Sequence, residues 1–181
     1  MSNKKGALLT EDQRLEKALT KKKRRKIALN IFIGFLVILA LFVGITTMIS
    51  VIGVQSNINK AHNYGSADCA QLEYSVEDNG YVNIKSDKGL KVMQLTDVHI
   101  GGGWMSIKKD AMAINTVATM IRVEKPDFVV VTGDISYPVP FQAGTFNNKS
   151  GAKIFAELME TLGVYWTLAY GNHDTEAYSY Y

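Results

Sequence analysis

The chain is nearly without cysteine: Cys69 stands alone among 181 residues. A single thiol excludes an intramolecular disulfide and a cysteine-based zinc site. Proline is also sparse, with three residues, two of which, Pro138 and Pro140, fall in one segment. Histidine occurs only at His62, His99 and His173, so any histidine chemistry must come from few positions. Charge is missing from one long stretch. From Ile31 to Val54 there is no Asp, Glu, Lys or Arg.

At about 1.5 Å per residue, a helix over Ile31 to Val54 would be roughly 36 Å long, enough to cross the hydrocarbon core of a bilayer with some tilt. A buried core helix and a cleaved signal peptide are the competing readings. Soluble helices seldom stay apolar on every face for so long. The apolar run also exceeds a usual signal sequence, and no clear Ala-x-Ala site follows it. An uncleaved signal anchor over 27–54 is therefore expected. Residues 1–26 carry ten Lys or Arg against Glu11, Asp12 and Glu16, a net +7 that leaves −4 to the remainder. Lys21 to Lys26, KKKRRK, abuts the apolar run. The positive-inside rule then places this basic arm in the cytoplasm and the rest of the chain outside it, in a single-pass membrane protein. The cluster would also attract anionic lipid. Nucleic acid is not expected as a partner, because the membrane already accounts for where the basic residues stand.

After the span, 55–70 reads as a polar linker, and 71–181 as a domain that begins near Gln71. Leu72 to Val76 and Tyr81 to Ile84 flank Asn79-Gly80, a hairpin signal. A β-α-β-α-β pattern follows: strands at Lys91 to Leu95, Phe128 to Val131 and Val164 to Ala169, helices at Asp110 to Val123 and Lys153 to Leu162. The first helix repeats Ala111, Ile114, Val117 and Ile121 at helical spacing, and the second turns Ile154, Leu158 and Met159 inward. Phe128 to Val131 reads as a strand buried on both faces. Such alternation implies a parallel sheet with its site at the carboxyl ends of the strands. Ser136 to Gly151 reads as a long irregular loop. Asn148-Lys149-Ser150 matches a glycosylation sequon, relevant only in a eukaryotic secretory route.

Three polar clusters sit at those strand ends: Asp97-Val98-His99, Gly133-Asp134 and Gly171-Asn172-His173-Asp174. On an extended segment Asp97 and His99 point to the same side and can reach one ion. Gly133 permits a sharp turn and a close approach of ion or phosphate. The two oxygens of Asp134 can bridge two ions, and Asn172 offers an amide oxygen to the second. His173 suits a proton donor to a leaving group, with Asp174 fixing its tautomer. Singly, each cluster also reads as a turn or a helix cap; together, in this order, they are far more specific. His62 lies before the fold and reads as a surface residue.

These residues resemble the calcineurin-like metallophosphoesterases, whose pattern runs D-x-H, G-D, G-N-H-D/E, a lone His, then G-H-x-H. The resemblance covers roughly Lys91 to Asp174. It implies an α/β/β/α sandwich, of which this chain would be the front part. It also implies hydrolysis of phosphomonoesters or phosphodiesters at a two-metal centre. Carried over by position, Asp97, His99 and Asp134 bind the first metal, Asp134 bridges, Asn172 binds the second, and His173 is the general acid. The His, Asn and carboxylate set suits Mn, Fe or Zn. Tyr137, three residues after Asp134, looks like the purple acid phosphatase branch, where the Tyr ligates iron. That branch has D-x-G where this chain has His99, so Tyr137 is expected to line or pack the pocket.

The last two blocks of the pattern do not occur here. The expectation is a fragment or truncated product of a longer enzyme. The alternative is a catalytically inactive, membrane-anchored binding or interaction module.

Overall fold

A computed structural model of the chain describes residues 10–175. It divides into two compact units, Met1–Ile45 and Thr46–Tyr181. One helix, α1 (Glu11–His62), supplies the first unit and opens the second. Much of the basic arm is thus helical. Within Met1–Ile45 the large apolar side chains, such as Phe32, Phe35 and Leu41, are exposed, and the helix is long and apolar enough to cross a membrane.

The second unit is mixed α/β, as the alternation of patterns implies. Its chain order is β1 (Glu73–Val76), β2 (Val82–Lys85), β3 (Val92–Leu95), α2 (Ile107–Glu124), β4 (Phe128–Val131), α3 (Asn148–Leu162) and β5 (Tyr165–Leu168), then a 3-10 turn at His173–Thr175. β1 and β2 form the antiparallel hairpin around Asn79-Gly80, where Gly80 takes the positive φ that the turn needs (87°). β3, β4 and β5 form a parallel sheet in that order. Its register pairs Leu95 with Val131 and Val131 with Leu168, so the three strands end level with one another. That alignment brings the three following loops to one edge.

Ile114, Val117, Ala118 and Ile121 of α2, with Ile154, Phe155, Leu158, Met159 and Leu162 of α3, form the core with Val129 and Val131. The expected continuous burial of β4 is not observed. Val129 and Val131 are buried, whereas Phe128 and Val130 are only half-buried. The helices cover one sheet face. On the other, the hairpin contributes Tyr74, which meets Tyr165 edge-on at 5.8 Å.

Two stretches read as irregular are ordered by caps and packing. α3 starts at Asn148, earlier than the apolar spacing indicates, because the Asn147 side chain caps it by accepting from Lys149 N at 3.1 Å. This buries Asn148 completely, so its amide is closed to glycosylation in the folded state. Gln55 to His62 was expected as polar linker but continues α1. Asn57 donates to Ile107 O at 3.1 Å, and Ile58 and Ala61 join the core. The polar composition reads as a linker because the buried residues, at i, i+1 and i+4, are few.

Gly53 is buried against Ile107 of α2, where any Cβ would collide with the Ile side chain. Gly53→Leu should therefore lower stability by about 1–3 kcal/mol through overpacking, read as a shift of the urea midpoint in detergent. An unchanged midpoint would place Gly53 away from the domain.

Candidate metal centre

The sheet's carboxyl edge does not end where the strands do. Beyond β3 and β4 the loops stay zipped: Asp97 N donates to Gly133 O (3.2 Å), His99 N to Asp134 O (3.0 Å) and Ile100 N to Ile135 O (2.8 Å). This pairing forces Asp97, His99 and Asp134 into left-handed backbone, at φ 56°, 53° and 55°. Each such residue costs about 1–2 kcal/mol, less for Asp. Strain of this kind gathers where a site over-determines the backbone. The expected extended geometry of Asp97 and His99 is thus replaced by two left-handed turns.

The side chains still converge. His99 Nε2 lies 3.6 Å from Asp97 Oδ1 and 3.8 Å from Asp134 Oδ2. One ligand atom each from His99, Asp134 and His173 fall within 4.8 Å of one another. Two imidazoles and a carboxylate at this spacing fit a first-row transition ion. His173, expected beside the ions as a proton donor, lies close enough to His99 and Asp134 to be a ligand itself. Asn172 sits exposed in the adjoining turn. Tyr137 stacks on His99 (centroids 4.7 Å, 27°) and meets His173 edge-on (4.7 Å, 88°). It packs against both rings and restrains their planes.

Asp174 has a role that adjacency to His173 does not reveal. It is buried, and its carboxylate accepts three backbone N–H bonds: Asp134 N at 2.8 Å, Ser136 N at 2.9 Å and Gly171 N at 2.9 Å. One side chain therefore ties the β5 loop to the β4 loop. Asp134 returns the link, with Oδ1 accepting from His173 N at 2.9 Å. Gly133 and Gly171 make the contact sterically feasible. A Cβ on Gly133 would sit 2.7 Å from Gly171 Cα, and one on Gly171 would strike the Asp134 carboxylate. The close approach at Gly133 is to this neighbouring loop.

In the sequence Asp110 reads as an ordinary first-turn acid. It is buried and accepts from Gly101 N (2.9 Å), Gly102 N (3.0 Å) and Ser106 Oγ (2.9 Å). Burial pushes its carboxyl above the usual range, partly offset by these bonds. It holds the Gly101 to Gly103 loop that leaves His99. The available signal was an acid three residues after the helix start, facing three consecutive glycines.

A family model of calcineurin-like phosphoesterases matches residues 90–181, beginning just before β3. The chain belongs to the calcineurin-like phosphoesterase family. Among curated proteins and among solved structures nothing matches it significantly. Members of the family typically bind divalent metals, and the His99, Asp134 and His173 group of this phosphoesterase domain has the donors for one. His62 and Cys69 stand apart from it. His62 pairs with Glu157 at 2.8 Å. Cys69 is buried in the core, where burial raises its thiol pKa.

Gly171→Ala should displace the Asp134 carboxylate and weaken Mn²⁺ binding by about tenfold or more, on the scale seen when residues behind metal ligands are changed. Calorimetric titration of the folded variant checks this. Wild-type affinity would contradict the packing of Gly171 against Asp134.

Proposed function

We propose that the phosphoesterase domain hydrolyses phosphomonoesters or phosphodiesters at a two-metal centre, and that α1 anchors it in a cell membrane. The observation carrying the first part is the convergence of Asp97, His99, Asp134 and His173 at the shared edge of three parallel strands. Asp97, His99 and Asp134 would hold one ion, with Asp134 bridging to a second held with Asn172. Mn, Fe or Zn suits these donors. Bound there, the ions supply Lewis acidity and an acidified water.

The residues of the chain do the rest. Asp134 and His99 are held rigid by backbone pairing, so little reorganisation is needed on binding phosphate. His173, with its ring fixed by Tyr137, is placed to deliver a proton to the leaving oxygen. The Asp174 carboxylate positions Asp134 and Gly171 and need not react.

The uncharged run from Ile31 to Val54 supports the anchor. Lys21 to Lys26 would lie in the cytoplasm against anionic lipid, with the phosphoesterase domain on the opposite side. The substrate is then a phosphate ester met outside the cytoplasm.

With Mn²⁺ and p-nitrophenyl phosphate or its bis-ester, the full chain should turn over, and Asp134→Asn should lose at least about a hundredfold in rate, since Asp134 belongs to the metal-binding set. EDTA should abolish the activity and Mn²⁺ restore it. Equal rates for wild type and Asp134→Asn would overturn the catalytic reading. Mn²⁺ binding without turnover would favour an inactive binding module instead.

A further inference from the structure

The second unit carries an edge whose composition differs from the rest of the domain. Two segments build it, residues 100–109 and 136–153. Neither contains an acidic residue, and together they carry Lys108, Lys109, Lys149 and Lys153. Everything after residue 26 is net negative, so this edge stands out in charge.

It is also apolar at its tips. Phe141 is 90% exposed, Phe146 58% and Met105 46%, with Trp104 half-buried beside them. These residues are joined through backbone. Met105 N donates to Ala143 O at 3.1 Å, and the Trp104 indole lies over Gly144. Exposed Phe and Met beside a half-buried Trp, flanked by lysines, is the composition of a membrane interface rather than of a solvated surface.

Its position gives the occupant. Trp104 N donates to Ser50 Oγ at 3.0 Å. Ser50 lies four residues before Val54, where the apolar run ends, which is about 6 Å along a helix. A bilayer that takes up Ile31 to Val54 therefore reaches the level of Trp104.

We infer that Trp104, Met105, Phe141 and Phe146 insert into the interface of the bilayer, with the four lysines at its headgroups. This rests on the membrane-anchor reading of α1. Trp104 is five positions after His99, a reach of at most about 17 Å. The metal site is thereby held close to the membrane surface, within reach of phosphate esters carried by lipid.

The chain's only tryptophans are Trp104 and Trp166, and Trp166 packs against Phe155 in the domain. Reconstitute the full-length Trp166→Phe protein in phosphatidylcholine–phosphatidylglycerol vesicles containing lipid spin-labelled near the headgroup, and read Trp104 fluorescence. Quenching by about twofold is expected for an indole at the interface, against little change for Trp166 in Trp104→Phe. As an arm independent of the core, Phe141→Cys carrying a nitroxide should collide more with oxygen than with a water-soluble nickel chelate. Vesicle flotation separates the two readings. Protein that floats with Trp104 unquenched and a water-like label at Phe141 overturns the insertion and leaves the anchor. Protein that fails to float overturns both.

Discussion

The carboxylate of Asp174 is the constraint on which the site depends. Its three backbone bonds, to Asp134, Ser136 and Gly171, close two loops that would otherwise leave the sheet separately. A buried carboxylate would be costly if unpaired. Three amide donors offset that cost, and they are directed at the residues flanking the metal donors. The Gly133 and Gly171 contact then follows, because only two glycines let the loops approach so closely. The left-handed turns at Asp97, His99 and Asp134 persist because the loop pairing and this tie leave the backbone no relaxed alternative.

A second buried acid repeats the arrangement in the loop that follows His99. Asp110 gathers Gly101, Gly102 and Ser106 as Asp174 gathers the β4 and β5 loops. Two buried carboxylates thus hold the backbone of the loops that carry and follow the metal donors. The rings of Tyr137 and His99 stack, and His173 meets both edge-on. Site and scaffold are coupled closely: a change in either acid would move ligand atoms it never touches.

Much of this was legible in the sequence. The three apolar runs, each ending in an Asp, Gly or His cluster, indicated a parallel sheet with its chemistry at one edge, and the hairpin was marked by Asn79-Gly80. What remained hidden depends on contacts between distant residues. Asp174 reads as a partner of its neighbour His173, yet its carboxylate binds amides up to 40 positions away. Asp110 carries no local mark of burial. Asn57, Ile58 and Ala61 belong to a polar stretch, and only α2 shows which face of the helix is covered. β4 is less buried than its composition implies because an apolar tetrapeptide cannot show that one sheet face is less covered than the other.

The central claim is that His99 and Asp134, held by the Asp174 tie, belong to a metal centre beside which His173 stands as proton donor. Pulsed electron paramagnetic resonance of bound Mn²⁺ or Cu²⁺ tests it directly, because ligating imidazoles imprint nitrogen couplings on the spin echo. One histidine coupling is predicted for the wild-type protein, lost in His99→Gln and kept in His173→Gln. A bound ion with no nitrogen coupling, or a spectrum unchanged by both substitutions, would contradict the account.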